Sequence, residues 1–346
     1  MKNLATTFKR EIADLYPAYF ALVMSTGIIS IGTHFMEYEW ISKVLLYLNS
    51  LFFVGLILFL TIRILFFFTH FVLDFANHRK SAGFLTLIAG TCVLGTQFVL
   101  VDQNLDIARI LYFLGFFLWV FLLYFFFVMI TIRNNKPPIE QGLDGTWLLM
   151  VVATQSLSIL GILVQDTIPV PKELFLFFNL TLFLLGCLLY IIIITLIFYR
   201  LAFFKLPPRD FAPPYWINMG AVAITTLAGS VLLSAGGKWD FLESLSPFIT
   251  GFTLMFWSIG TWWIPLIILL GFWRHGIKKV PLEYHPQYWG MVFPLGMYAA
   301  CTYTMDEVMN LNFLYPLAHS FLLIALLVWT ICIFGLVRRL YLIYWK

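Results

Sequence analysis

In the stretch Tyr288-Trp289-Gly290-Met291-Val292-Phe293-Pro294-Leu295-Gly296-Met297, a phenylalanine lies between two glycines and directly before a proline. The stretch opens an apolar segment that reaches about Met305 without a charged residue. Proline lacks a backbone donor and disfavours helical geometry at the residue before it, so Gly290, Pro294 and Gly296 predict a bend in a helix. If this helix lines a pore, Phe293 is expected to act as a movable plug. The alternative is a buried packing residue.

The composition indicates a membrane protein with several spans. The chain is 62% hydrophobic and 11% charged, whereas a soluble domain has roughly 25% charged residues. Apolar runs of about 20 residues, long enough to cross a lipid bilayer, recur from end to end. We therefore predict a single transmembrane domain over residues 1–346. The four cysteines lie far apart in apolar sequence and are expected to pack rather than to pair.

Ten predicted spans form five helical hairpins. An arginine follows or closes every second span, and successive arginines are 70, 67, 74 and 64 residues apart. This regular spacing indicates an internal repeat. The arginines are Arg63, Arg133, Arg200, Arg274 and Arg338. The spans run at about residues 17–35, 40–68, 83–101, 106–133, 145–165, 172–200, 214–237, 245–275, 286–305 and 313–343, and the repeats at about 1–70, 71–138, 139–206, 207–278 and 279–346.

The odd and even spans differ in composition. The odd spans hold 13 of the 22 glycines, and the even spans hold 25 of the 37 phenylalanines. Small residues suit close helix approach or a water-filled lining, whereas phenylalanine suits lipid and bulky neighbours. We therefore predict an all-α polytopic membrane protein of ten transmembrane helices, with the odd helices forming an inner pore and the even helices an outer ring. The alternative is that the small residues serve only helix packing, without a lumen.

The odd spans begin with related motifs. Each motif places an aromatic residue just inside the start of the span, where tyrosine and tryptophan anchor helices at the headgroup level. The motifs therefore mark where the odd helices enter the membrane. They are Pro17-Ala18-Tyr19, the degenerate Ser81-Ala82-Gly83-Phe84, Gly145-Thr146-Trp147, Pro214-Tyr215-Trp216 and Pro286-Gln287-Tyr288-Trp289.

The charge distribution predicts the orientation. Both termini and the even-to-odd loops share one side, which holds 17 Lys/Arg and 7 Asp/Glu, whereas the other side holds 4 Lys/Arg and 10 Asp/Glu. The positive-inside rule then places both termini in the cytoplasm of a cell that carries this protein in its plasma or inner membrane. A basic cytoplasmic mouth would also concentrate anions.

The five odd spans contain no lysine, arginine, aspartate or glutamate. A carrier driven by protons usually places an ionisable residue near the midplane. A neutral, weakly polar tube instead favours conduction over tight capture. The predicted pore-lining residues are Thr26, Thr91, Thr154, Gln155, Thr225 and Thr302.

The chain shows no motif for metal or enzyme chemistry. His34 and His319 both fall near the outer end of their spans and could approach if the fifth hairpin closes against the first. Nothing else resembles a ligand set for haem or metal, so no cofactor is expected. No GxSxG, HExxH or P-loop pattern occurs, so we predict neither an enzyme nor a nucleic-acid partner.

Taken together, these features resemble the tellurite-resistance/dicarboxylate transporter family over essentially the whole chain. The most specific matches are Tyr288-Trp289-Gly290-Met291-Val292-Phe293-Pro294, Pro214-Tyr215-Trp216-Ile217-Asn218-Met219-Gly220 and Ser25-Thr26-Gly27. The family includes a bacterial tellurite-resistance permease, the slow anion channels of plant guard cells, and fungal malate and sulfite transporters. The resemblance implies a homotrimer with one pore per subunit, lined by the odd helices and occluded by Phe293.

Two functions fit this resemblance. One is an anion channel or transporter that passes small inorganic or organic anions through a neutral pore gated by Phe293. The alternative is a proton-coupled carrier or exporter of C4-dicarboxylate or sulfite. The lack of a titratable residue inside the odd spans favours the first.

Overall fold

Ten long helices carry the fold. The computed structural model describes residues 4–344, most of which are helical. The helices are α1 (Ala21–Phe35), α2 (Glu39–Phe66), α3 (Thr86–Val101), α4 (Leu105–Ile132), α5 (Leu149–Val164), α6 (Lys172–Phe203), α7 (Ile217–Ser234), α8 (Ser246–Phe272), α9 (Trp289–Val308) and α10 (Tyr315–Tyr344). The predicted all-helical membrane fold is confirmed.

One helix differs from the others in its apolar character. Within residues 4–344, nine helices are long and apolar enough, with their flanking turns, to cross a membrane. The exception is α9, the least apolar of the ten, whose last turn contains Asp306 and Glu307. Nevertheless, α9 packs inside the bundle against α1, α7 and α10. Ten crossings in five hairpins therefore stay a prediction, which depends on α9.

A turn of 3-10 helix precedes every odd-numbered helix. The turns are Pro17–Phe20, Ser81–Leu85, Gly145–Leu148, Pro213–Trp216 and Pro286–Tyr288, and they coincide with the aromatic motifs of the sequence. Successive turns contact one another and the last contacts the first, so they form a closed ring. The ring is tight, because a Cβ atom at Gly145 would lie 2.1 Å from the carbonyl oxygen of Pro214. We call the side with this ring and both described chain ends the terminal face, and the other side the opposite face.

The odd-numbered helices form an inner ring. Each packs against the next odd helix, and α9 packs against α1, which closes the ring. In the most apolar 18-residue segment of α1, α3, α5 and α7, each taken with its preceding turn, 83–89% of the residues are buried. The corresponding share in the even helices is 17–44%. Small residues in the odd spans therefore coincide with burial, as the composition predicted.

The even-numbered helices surround this ring. Helices α2, α4 and α6 each pack against their own odd partner and against the next odd helix, and α10 packs against α9 and α1. The outer surface is rich in exposed phenylalanine and leucine, which suits contact with lipid. All four cysteines are buried and free, so the prediction that they pack without pairing is confirmed.

Three of the repeated arginines close their hairpins. Each donates a hydrogen bond to a backbone carbonyl in the segment that leads into the first helix of the same hairpin. The arginine at the end of the third hairpin differs, because it donates to a tyrosine hydroxyl instead. The pairs are Arg63 with Ala13, Arg133 with Ala76, Arg274 with Phe211, and Arg200 with Tyr215.

Candidate pore and its mouth

A small cavity is enclosed by the inner ring next to the five 3-10 turns; we call it the lower cavity. Its volume is about 20 Å³, which is close to the space that one water molecule needs. Every odd-numbered helix contributes to the wall, which includes Met24, Thr86, Leu149, Ile217 and Phe293. The ring therefore encloses a lumen on its axis, although a narrow one.

A second cavity, the upper cavity, begins four to seven residues further along each odd-numbered helix. Its volume is about 10 Å³, and all five odd helices again form its wall. Most of the wall is apolar, with Ile28, Val93, Ile224 and Met297 among its residues. Neither cavity is large enough for a hydrated ion, so the ring is shut in this structure.

Phe293 is the last residue of α9 that borders the lower cavity, one helical turn before the upper cavity begins. Its side chain is only 2% exposed and borders the lower cavity. Met297, one helical turn further on, borders the upper cavity. A plug needs this position on the axis, whereas a simple packing residue does not. The gating role itself stays a prediction.

The three predicted bend residues differ in their surroundings. Helix α9 runs unbroken across all three positions. Pro294 packs against α7, where a Cβ atom at Gly220 would lie 2.6 Å from its ring. Gly296 faces α1, because a Cβ atom there would lie 2.9 Å from Ile28. Only Gly290 of the three borders the lower cavity, and its nearest neighbour would lie 3.8 Å from an added Cβ atom.

In three of the six predicted lining residues, the hydroxyl group faces the even-numbered helices of the outer ring. Each hydroxyl accepts a hydrogen bond of 3.0 Å from an indole N–H on the even-numbered helix that precedes it around the ring. These contacts tie neighbouring hairpins together. The pairs are Thr26 with Trp329, Thr154 with Trp119, and Thr302 with Trp257.

The other three predicted lining residues make no such contact with an indole group in the described structure. The Gln155 amide donates to the Phe183 carbonyl of α6 at 3.0 Å, so it also faces outward. The hydroxyls of Thr91 and Thr225 donate to carbonyls four residues earlier in their own helices. Within the described chain, none of the six borders the lower or the upper cavity.

Other polar side chains border the two cavities. Thr86 and Thr146 contribute to the lower cavity, and Thr96 and Ser156 to the upper one. Thr146 belongs to one of the aromatic motifs, which the sequence indicated only as membrane anchors, and Thr86 begins α3 two residues after another of them. The recurrence of that motif was the signal that could have identified them.

A Thr154→Val substitution should test the indole contacts. It leaves the buried Trp119 N–H without an acceptor, and an unsatisfied buried donor costs about 1–3 kcal/mol. We expect a lower melting temperature of the purified protein in detergent. The matched control is Thr225→Val, because Thr225 is equally buried and donates only within its own helix. Equal melting temperatures of the two variants would contradict the expectation.

A larger cavity of about 700 Å³ opens on the terminal face; we call it the vestibule. It shares Tyr16, Thr146, Pro286 and Gln287 with the lower cavity, so the two are adjacent. Five basic and four acidic side chains line it among the residues that the structure describes. The vestibule is thus lined by charged side chains, whereas the adjacent lower cavity has no charged side chain in its described wall.

Two titratable groups in the vestibule are shifted towards their neutral forms. Burial raises the pKa of Asp144, although hydrogen bonds from Thr146 and the charges of Arg79 and Arg200 oppose this shift. Burial also lowers the pKa of His285, and nearby Arg339 lowers it further. Both shifts favour the neutral form of the group concerned, so each reduces that group's contribution to the charge of the vestibule.

The two histidines considered as ligands lie on the opposite face. Hairpin five does close against hairpin one. However, His34 lies 2.8 Å from the Glu39 carboxylate, and His319 contacts the Tyr38 hydroxyl at 3.2 Å. Among residues 4–344, no group of three or more potential metal ligands occurs.

A closed ring of five buried helices with a lumen on its axis defines a multi-pass membrane protein of the channel or transporter class. The sequence pattern of the family described as "SLAC1, voltage-dependent anion channel" matches residues 14–337. The chain belongs to this family, which confirms the resemblance seen in the sequence.

Relatives in other organisms agree with this class. An uncharacterized transporter of Methanocaldococcus jannaschii is 24% identical over 339 residues, which cover 95% of this chain and 96% of the relative. A second uncharacterized transporter of that organism is 23% identical, over 95% of this chain and 94% of the relative. An uncharacterized membrane protein of Mycobacterium tuberculosis is 34% identical over 152 residues, 44% of this chain and 77% of the relative.

Proposed function

We propose that this protein conducts small inorganic or organic anions through the axis of the inner ring. The observation that supports this most is the pair of cavities enclosed by all five odd helices. The walls of both cavities lack charged side chains within the described residues. An anion passing there would meet hydroxyl and backbone dipoles and no fixed charge that could trap it.

Phe293 is the gate in this proposal. Its ring borders the lower cavity, one helical turn before Met297 in the wall of the apolar upper cavity. The proposed polar lining consists of Thr86 and Thr146 in the lower cavity and Thr96 and Ser156 in the upper cavity. An apolar constriction of this size excludes ions because they would have to shed water without compensation. Movement of one ring would widen and wet it.

The terminal face is placed in the cytoplasm, with the protein in the plasma or inner membrane. This orientation follows from the excess of lysine and arginine on that face. The homotrimer implied by the family is part of the same proposal, and the exposed apolar surface of the even helices is available for neighbouring subunits and lipid.

Anion flux into liposomes that contain the purified protein tests this function. Nitrate and chloride uptake should depend on the protein and should be larger than in empty liposomes. The same liposomes loaded with malate or sulfite determine whether organic and sulfur oxyanions also pass. Flux indistinguishable from that of empty liposomes for every anion, including in a Phe293→Ala variant, would refute the proposal.

The flux should be insensitive to a proton gradient. Between their first turns and the opposite face, the odd helices carry no acidic or basic residue apart from His34 in the last turn of α1 and Asp306 and Glu307 in the last turn of α9. None of these three borders the lower or the upper cavity, so no residue along the two cavities can couple proton and anion movement. Collapsing the gradient with a protonophore should leave nitrate flux unchanged. Valinomycin-clamped liposomes at the same membrane potential provide the control. Malate or sulfite uptake that stops with the gradient would favour the coupled carrier instead.

A further inference from the structure

Arg200 is the one repeated arginine that combines deep burial with a place in the wall of the vestibule. Its side chain is 2% exposed and lines the vestibule. The equivalent Arg63 of the first hairpin is 1% exposed, but its guanidinium contacts the Asp74 carboxylate at 2.5 Å. Two arginines at the same position of the repeat therefore differ in their surroundings: Arg63 contacts a carboxylate, whereas Arg200 lines the vestibule.

No carboxylate pairs with Arg200 in the part of the chain that the structure describes. The acidic groups whose charges act on Arg200 are Asp144, Asp210 and, most weakly, Glu140. Asp144 instead accepts hydrogen bonds from the backbone N–H and hydroxyl of Thr146, and Asp210 lies 3.6 Å from Arg79. Arg200 thus faces the vestibule with a positive charge that no ion pair neutralises.

A buried, unpaired charge is costly, because it loses hydration without gaining a partner. Arginine cannot relieve this cost by losing its proton in the accessible pH range. The remaining way to neutralise the guanidinium is a mobile anion from solution. The vestibule, at about 700 Å³, has ample room for one beside Arg200.

The guanidinium is held in place for such a contact. One Nη donates to the Tyr215 hydroxyl, and the guanidinium carbon lies 5.8 Å from the centre of the Tyr215 ring. Tyr215 is itself 1% exposed, so it is a rigid support. A fixed guanidinium offers its remaining N–H groups as a planar fork, the geometry that suits a planar oxyanion group.

We propose that Arg200 is an anion-binding residue that holds a small planar oxyanion, such as nitrate or a carboxylate group, in the vestibule before it enters the pore. The role as an entry site rests on the proposed conduction. Because the vestibule and the lower cavity share Tyr16, Thr146, Pro286 and Gln287, an anion bound there is next to the route past Phe293. Asp144 lines the same vestibule, and its ionised form weakens this binding.

The first experiment measures binding without transport, by the rise in melting temperature of detergent-purified protein as nitrate is added at constant ionic strength. Arg200→Gln should raise the nitrate concentration for half-maximal stabilisation at least about tenfold, a loss of one charge-assisted contact. Asp144→Asn should lower that concentration. Arg109→Gln, which removes an exposed arginine on the opposite face, should leave it unchanged.

Melting temperatures without nitrate separate binding from folding. Removing an unpaired charge should not destabilise the protein, so Arg200→Gln should melt near the parent chain. Tyr215→Phe keeps the charge but frees the guanidinium, and it should give an intermediate nitrate affinity. Unchanged nitrate binding in Arg200→Gln, or equal loss in Arg109→Gln, would overturn the proposal.

Flux then separates the site from the pore. The half-saturating nitrate concentration on the terminal face should rise in Arg200→Gln, and the value measured from the opposite face should change less. Arg200-dependent binding without any flux would leave the site standing and refute conduction. Flux with unaltered nitrate affinity from the terminal face would retain conduction and refute the entry site.

Discussion

Replacing Phe293 with alanine is expected to raise the anion current about tenfold or more at equal surface expression. The ring borders the narrow lower cavity, and its removal widens an apolar constriction enough for water to enter. A barrier lowered by about 1.4 kcal/mol corresponds to a tenfold faster passage. Side-by-side voltage-clamp recordings in nitrate and chloride, normalised to surface protein, measure the effect.

Two further variants identify the cause of a larger current. Phe256→Ala removes another fully buried phenylalanine, but from the outer helix α8, where its ring packs against Tyr190 and Phe252. It should lower stability without raising the current. Phe293→Tyr keeps the bulk of the ring and should stay shut. A larger current in Phe256→Ala, or an unchanged one in Phe293→Ala, would make Phe293 an ordinary packing residue.

The sequence was sufficient to predict which helices are inner and which are outer, because the two sets of helices have different surroundings. The inner helices contact only protein and lumen and can use glycine, whereas the outer helices contact lipid and carry phenylalanine. Helix α9 is the least apolar of the ten, because its tyrosines and its final Asp306 and Glu307 reduce its apolar character. The sequence indicated it by an uncharged segment that ends before these two acidic residues, and its crossing of the membrane stays a prediction.

The lining residues could not be read from composition. A helix turns about 100° per residue, so a hydroxyl faces the lumen or the outer ring depending on a rotation that must be known. An amphipathic stripe would reveal it, but the inner helices are apolar on every side because their lumen is also apolar. Thr154 and Ser156 show the result: the first faces Trp119, and the second borders the upper cavity.

The ion-pair partners of the repeated arginines could not be predicted from the sequence either. Asp74 follows Arg63 by 11 residues, and Asp210 follows Arg200 by 10. The first pair forms an ion pair, whereas Asp210 turns to Arg79 of another hairpin. The distinction arises from contacts between hairpins, which sequence spacing does not encode.

Asp74→Asn is expected to destabilise the fold severely. Arg63 is 1% exposed, and its Nη2 lies 2.5 Å from the Asp74 carboxylate while its Nε donates to the Ala13 carbonyl at 3.1 Å. Removing the carboxylate charge leaves the guanidinium buried and unpaired, which costs about 3–5 kcal/mol. The melting temperature of the purified protein and its yield after heating should both fall.

An exposed ion pair provides the matched control for this prediction. Asp106 and Arg109 lie 3.1 Å apart on the opposite face with side chains 82% and 42% exposed, and such pairs contribute at most about 1 kcal/mol. Asp106→Asn should therefore melt near the parent chain. Removing both buried charges with Arg63→Met and Asp74→Leu should recover much of the loss, because no unpaired charge remains. Equal melting temperatures for Asp74→Asn and Asp106→Asn would contradict the prediction, because the buried Arg63 would then lose nothing when the charge of its partner is removed.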